Sequence, residues 1–189
     1  SSLTQIEIPS SVTLIGNYAF SECKLLSNIS IPSSVTSIGA CAFKECYSLK
    51  QISIPSSVKS IGDAIFTWCN SLKQISILSS ITSIGNGAFN ECCSLETITI
   101  PKSVKSIGNL AFTGCFSLTE IIIPPSVISI GKYAFSGCTG IKKMTIPASV
   151  KSIQSDAFHG CTSLKYIIMP SSLKGELNEL DPDVVITYT

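Results

Sequence analysis

The residues best suited to chemistry in this chain are its nine cysteines. Seven of them recur at one spacing: Cys23, Cys46, Cys69, Cys92, Cys115, Cys138 and Cys161, each 23 residues after the last. Thiols at a fixed repeat could build a redox or metal ladder, since equivalents on stacked units would lie about 5 Å apart. Zinc, however, needs ligands that converge tetrahedrally, whereas a ladder projects them in parallel. Disulfides between stacked equivalents need side chains turned toward each other, and both seven and nine are odd numbers. The competing reading is a column of small, buried, polarizable core residues. Cys41 and Cys93 fall off the column and are expected to be partly exposed; Cys92-Cys93 is a vicinal pair.

His159, the single histidine, would have to carry any general acid–base catalysis. It follows Phe158 at a position where other units have Ser21, Lys44 or Ser136, which reads as variable and outward-facing. No serine, aspartate or glutamate constellation can be tied to it by spacing. The chain is therefore read as not an enzyme and as having no cofactor. The most regular polar column, Ser11, Ser34, Ser57, Ser80, Ser103, Ser126, Ser149 and Ser172, is expected to satisfy turn amides. A hydroxyl ladder for ice or sugar is the weaker alternative. Asn28-Ile29-Ser30 matches a glycosylation sequon but falls on an expected strand.

The elements that position these residues follow from the same 23-residue period. The pair Ile6/Ile8 returns as Ile29/Ile31, Ile52/Ile54, Ile75/Ile77, Ile98/Ile100, Ile121/Ile123, Met144/Ile146 and Ile167/Met169. Phenylalanine keeps the period from Phe20 to Phe158, isoleucine from Ile15 to Ile153, and glycine from Gly16 to Gly131, where Gln154 then breaks the column. A unit this short cannot bury its apolar face alone, so units must stack as the coils of a solenoid. Seven full repeats span 6–166, and 167–189 form a partial last coil and C-terminal cap. The first coil has an uncovered apolar edge, so a single repeat domain lacking an N-terminal cap, a fragment of a longer protein, is expected.

Composition narrows the partners. Mean hydropathy is positive, at +0.43, yet apolar runs such as Ile121 to Ile123 fall far short of the ~20 residues that span a bilayer, so no transmembrane segment is expected. Thirteen lysines face twelve acids with no arginine, which argues against nucleic acid as a partner. The acidic stretch from Glu176 to Asp183 reads as a solvated cap.

Within one coil, Leu26-Ser27-Asn28-Ile29-Ser30-Ile31-Pro32 alternates as a half-buried strand that proline ends. Equivalent strands should stack in parallel into one sheet of roughly eight strands. Val35 and Ile38 point inward on a short second strand. Gly39 to Cys46 reads as a turn plus one helical turn, with Ala42, Phe43 and Cys46 inward and glycine supplying either positive φ or a close approach. Gln154 should then be slightly strained or mark an altered corner.

The repeat C-x-x-L-x-x-I-x-I-P-x-S-V-x-S-I-G-x-x-A-F, seen from Cys46 through Leu49, Ile52, Ile54, Pro55, Ser57, Val58, Ser60, Ile61 and Gly62, with Ala-Phe as Ala42-Phe43 and Ala134-Phe135, resembles the leucine-rich repeats of BspA-like surface proteins of bacteria and protozoan parasites. The resemblance covers 3 to about 173; Leu78 for proline, Ile65 for alanine and Gln154 for glycine depart from it. It implies a right-handed, curved leucine-rich-repeat solenoid with a parallel sheet on the concave face and short strands and helical turns on the convex side. It also implies a location at the cell surface or secreted, and adhesion to host matrix, host cells or other microbes. Unpaired cysteines would instead suit a reducing cytoplasm; burial of the thiols is compatible with either.

On the outward side of the strands, the first five coils are bland, whereas the last three carry Glu120, Ile122, Lys143, Thr145, Tyr166 and Ile168. That mixture of charge, exposed isoleucine and tyrosine is enriched at protein interfaces. It marks either a patch for an extracellular-matrix or cell-surface protein, or drift near a capping end. The competing role for the whole chain is a structural spacer that holds another domain away from a surface.

Overall fold

The computed structural model describes residues 3–78, 81–177 and 180–189. It is a parallel β-solenoid in which equivalent residues of successive coils lie in register. Gln51 pairs with Gln74, Ile52 with Ile75 and Ser53 with Ser76, each pair one repeat apart. Nearly every inward column residue from Ile8 to Leu177 belongs to one hydrophobic core.

The first strands of the coils form three short sheets, not the single sheet of about eight strands that the period suggests. Gln5–Glu7 pairs with Asn28–Ser30; Gln51–Ile54, Gln74–Ile77 and Thr97–Ile98 form the second; Lys143–Thr145, Tyr166–Met169 and Val185–Tyr188 form the third. The interruption between the last two is the segment 119–124, which has no strand assignment. It runs into Pro124-Pro125, two successive residues with no amide hydrogen to offer a ladder. The second strands are more continuous: Ser83–Ile84, Ser106–Ile107, Ser129–Ile130 and Ser152–Ile153 make one four-stranded parallel sheet. Val185–Tyr188, near the C-terminus, forms the last strand, pairing Tyr166 with Val185 and Ile168 with Thr187.

The expected helical turn is absent. Between the second strand and the cysteine, the described coils have turns only, and the one helical element described is the 3₁₀ turn Ser171–Leu173. The reason lies in the backbone. Two positions per coil are left-handed: Tyr18, Cys41, Ala64, Gly87, Leu110, Tyr133 and Asp156 in one column, and Glu22, Glu45, Trp68, Glu91, Gly114, Gly137 and Gly160 in the other. A right-handed helix cannot pass through them. The amides of the turn divide their bonds instead. Those of Tyr18, Phe20 and Glu22 donate to Ala40, Ala42 and Lys44 of the next coil at 2.8–3.0 Å, while those of Ala19, Ser21 and Cys23 close local turns onto Gly16, Tyr18 and Phe20. Every second amide thus ties one coil to the next, so the turn corner satisfies its buried backbone without helix or strand.

In the Gly16 column, Gly39, Gly85, Gly108 and Gly131 serve close approach, not positive φ, since the left-handed glycines all lie in other columns. A Cβ on Gly108 would come within 2.7 Å of the Asn86 backbone nitrogen and 2.9 Å of its side-chain oxygen. That oxygen is engaged in a ladder the repeat pattern does not announce. The amides of Ala40, Asn86, Asn109 and Lys132 donate to side-chain oxygens of Asn17, Asp63, Asn86 and Asn109 at 2.7–2.9 Å. Where Lys132 takes the place of this Asn or Asp, the next coil carries Gln154 instead of glycine. Its backbone is not left-handed and its amide keeps the column bond to Ile130 at 2.9 Å, so the expected strain at Gln154 is not found.

Two side-chain columns hold the interior together. The seven phenylalanines stack with centroids 5.3–5.6 Å apart and planes within 15°. Since equivalent residues repeat by one coil, that is the coil spacing at the turn corner, wider than the about 4.8 Å of paired strands. The strand side is therefore the inner side of a bend. Beside the rings runs the cysteine column. Cys46, Cys69, Cys92, Cys115, Cys138 and Cys161 each donate Sγ–H to the carbonyl of the phenylalanine one coil back, at 3.1–3.2 Å. Phe20, Phe43, Phe66 and Phe89 also accept the amide of the cysteine three residues on in their own coil, so one carbonyl serves two coils. No disulfide is formed among the described residues.

Burial, followed by the neighbouring thiols, pushes the column sulfurs up: Cys46 to about 12, and Cys69, Cys92, Cys115 and Cys138 well above the usual thiol value. Proton-bearing, enclosed sulfurs of this kind are poor nucleophiles and poor metal ligands.

Three outcomes follow. Phe89→Ala should cost about 3–5 kcal/mol in urea unfolding, and more than Phe20→Ala, because Phe20 is only half-buried and stacks on a single ring. Native protein should give two reacting thiols with Ellman's reagent, the half-buried Cys41 and, more slowly, Cys93, whose thiol is pushed up by burial and the neighbouring Glu91, and the other seven only in denaturant; rapid reaction of all nine would contradict the enclosed column. Raised thiol values also fix the sign of an alkaline effect. In the unfolded chain the thiols ionise near about pH 8.5, so their contribution is complete below that pH and is lost as pH rises toward 12. The urea midpoint should fall between pH 8 and pH 11, and fall less in Cys69→Ala/Cys92→Ala.

Candidate functional site

Four of the six residues singled out from the sequence lie on the outward side of first strands, and Glu120 and Ile122 lie on the segment 119–124, which has no strand assignment. Lys143 stands in register with Tyr166, and Thr145 with Ile168; Glu120 and Ile122 occupy the equivalent positions of the preceding coil. Five are exposed. Ile122 is 72% accessible, the most exposed of the large apolar residues, and Tyr166 is 55% accessible. Ile168 is half-buried, so the expected pair of exposed isoleucines reduces to one. The last strand, which sets Thr187 beside Ile168, narrows its access.

The interruption of the first-strand sheets gives this region its shape. On one side of the segment 119–124 a depression of about 520 Å³ is lined by Glu120, Ile122, Lys142, Lys143 and Thr145, with Pro147 at its edge. On the other side a depression of about 430 Å³ is lined by Ile98, Ile100, Pro101, Pro124, Pro125 and Lys102. Glu120 and Ile122 belong to both. Ile122 thus stands as a ridge between two hollows. Nearer the N-terminus, the same face has a depression of about 590 Å³ whose outward lining is neutral: Asn28, Ser30, Gln51, Ser53, Gln74 and Ser76.

The structure brings Glu120, Ile122, Lys143 and Thr145 together around one hollow and sets Tyr166 in register beside Lys143. Lys102, Lys142, Pro124 and Pro125 complete the surroundings. Their signal in the sequence was the doubled proline and the local excess of lysine.

The other chemical candidates resolve differently. The column cysteines bond to phenylalanine carbonyls inside the core, and among the described residues no group of His, Cys, Asp and Glu is placed to hold a metal ion. His159 is exposed. Among the described residues, no serine hydroxyl of the column accepts the expected turn amide. Ser34, Ser57, Ser103 and Ser126 donate to the carbonyls of Val12, Val35, Ile81 and Val104 one coil back, at 2.5–2.7 Å, while Ser80 lies outside the described residues. Asn28 of the sequon is exposed on its strand. Glu179, within the acidic stretch read as a cap, also lies outside the described residues.

No helix among the described residues is long and apolar enough to cross a membrane. Comparison with known proteins places this solenoid among its relatives. No curated protein matches the chain. Among solved structures it is similar to a leucine-rich repeat protein of T. pallidum, with 32% identity and a TM-score of 0.81 over 87% of this chain and 79% of that one. It is similar to a leucine-rich repeat protein of Bacteroides ovatus, with 30% identity and a TM-score of 0.79 over 96% of this chain and 53% of the other. A third, from Eubacterium ventriosum, gives 29% identity and a TM-score of 0.81 over 93% and 47%. The chain therefore spans about half the length of the latter two. The profile of the BspA type leucine rich repeat region matches residues 1–117 and 82–178 in six copies, and with the register and columns described above it follows that the chain belongs to the BspA-type leucine-rich repeat family.

Proposed function

We propose that this chain is a non-enzymatic protein-binding module of a surface protein, and that it serves adhesion to extracellular-matrix, host-cell or microbial proteins through the outward face of its first strands. The observation that carries the reading is Ile122. An isoleucine 72% accessible, flanked by two hollows and set among Glu120, Lys143 and Tyr166, is the arrangement of an interface anchor within a polar rim. A monomer gains nothing by exposing it at a position that is serine in the Ser30, Ser53 and Ser76 coils and threonine at Thr99.

The rest of the molecule suits the role. A stacked core fixes the outward side chains at one spacing, so a partner meets a surface that needs little reorganisation. Membership of the BspA-type family supports the surface location.

The test is saturable binding to a panel of matrix proteins and host-cell surfaces, measured beside Glu120→Ala/Ile122→Ala/Lys143→Ala/Tyr166→Ala. All four side chains are exposed, so the variant should fold as the parent does. Binding should weaken by at least tenfold in the variant, about 1.4 kcal/mol. Binding that the variant retains would move the site to another face, and no binding at all would favour a spacer solenoid.

A further inference from the structure

Charge is distributed unevenly along the solenoid. Residues 97–155 contain six lysines and a single acid, Glu120, whereas residues 1–96 hold five lysines against six acids and residues 156–189 two against five. The basic stretch coincides with the hollows around Ile122. Lys102 lines one of them, and Lys142 and Lys143 line the other. Between these lysines, beside Glu120, the accessible apolar surface is Ile122 at the crest with Pro101 and Pro125 toward the Lys102 side, over a floor of buried Ile100 and Pro124.

We infer that this surface takes an acidic segment of a partner protein, an extended stretch in which an apolar side chain is flanked on both sides by Asp or Glu. The inference rests on reading this face as a protein-binding surface and adds the chemistry of what is bound. The apolar side chain of the segment packs beside Ile122, in the hollow toward Pro124 and Pro125. Its acidic flanks reach Lys102 on one side and Lys142 and Lys143 on the other. Exposed lysines contribute mainly to encounter rate and partner choice, and the desolvated apolar anchor to residence time.

A uniform polyanion fits less well. Glu120 lines both hollows and would repel a sulfated glycan where the glycan crosses the centre of the site, and the apolar crest would meet only sulfate and hydroxyl. A polypeptide can place an uncharged residue over Glu120 and an apolar one beside Ile122. The N-terminal half of the face, with its neutral glutamines and serines, offers neither feature.

The probe is a fluorescein-labelled peptide of alternating Asp and Glu around a central Leu-Phe pair, followed by anisotropy at low and physiological salt. Three companions are a peptide with Lys in place of each acid, a peptide with Ser in place of Leu-Phe, and a heparin-type sulfated polysaccharide. The acidic–apolar peptide should bind, more weakly as salt rises. Affinity should fall at least tenfold in Lys102→Glu/Lys142→Glu/Lys143→Glu and again in Ile122→Asp, and stay unchanged in Gln51→Ala/Gln74→Ala. Thiol protection of the core cysteines shows that each variant keeps the fold. Equal binding to parent and charge-reversed protein overturns the inference. So does binding of the Ser-substituted peptide or the polysaccharide that Ile122→Asp leaves intact, which would make the face a general anion binder. If the peptides fail while matrix binding is present and lost in the fourfold alanine variant, the acidic-segment inference falls and the adhesion reading stands; if matrix binding is absent as well, both fall.

Discussion

The hydrogen bond from one coil to the next at the turn corner is the constraint on which the rest of this structure depends. Strand pairing alone cannot close a 23-residue coil, because the chain must turn back within a few residues and still satisfy its amides. The solution here is to hold two residues per coil in the left-handed region, so that alternate amides point along the solenoid axis. Ten of these residues are not glycine, and each such conformation costs about 1–2 kcal/mol against an ordinary one. The cost is tolerable only because bonds such as Phe89 to Ala111 at 2.8 Å form at those corners when coils stack. An isolated coil would carry the strain without the bonds, which gives the nearest-neighbour character of repeat proteins a specific backbone origin.

The two interior columns follow from that corner. The phenylalanine ring fills the space beneath it, and the thiol one coil on reaches the phenylalanine carbonyl. Cysteine suits the position because it is small enough to be fully enclosed yet still donates a weak hydrogen bond. A column that looked like latent redox chemistry is therefore part of the stacking. Wider spacing at the ring column than along paired strands then bends the molecule toward its strand side, where outward side chains of neighbouring coils are brought closer together.

Much of this was legible in the sequence, and what was not has a common cause. The period fixed the inward residues, because an isoleucine at Ile52 and one at Ile75 have no other way to be covered than by each other's coils. The corner reads as helical from the sequence because Ala42, Phe43 and Cys46 share the spacing of a helix face. Its left-handed residues were hidden, since Tyr18, Ala64, Leu110 and Tyr133 have no intrinsic preference for that conformation; neighbouring coils impose it. The ladder of Asn17, Asp63, Asn86 and Asn109 could not be read from the repeat pattern, because its meaning depends on the glycine of the next coil. At the candidate site, the outward direction of Ile122 could be read from alternation. The opening of the sheet around it could not, because Pro124-Pro125 alters pairing on both sides of its own coil.

These limits bear on where function can reside. Every inward column and most turn positions are committed to stacking, so a substitution there changes the partner coil before it changes any ligand. The outward first-strand positions are free of that demand: one column runs from Gln51 and Gln74 through Thr97 to Glu120, Lys143 and Tyr166, so the last three coils differ in charge and kind. In a rigid solenoid such a column acts as an array of independent choices at fixed separation, and a patch arises when neighbouring choices are compatible. An exposed isoleucine on its own is unremarkable. Here it coincides with a break in strand pairing, two flanking hollows and the most basic stretch of the chain, and the doubled proline that accompanies the break also supplies apolar lining to one hollow. A single local change in sequence thus alters both the shape of the face and its chemistry, while the phenylalanine stack beneath continues from Phe112 to Phe135 at 5.4 Å without interruption.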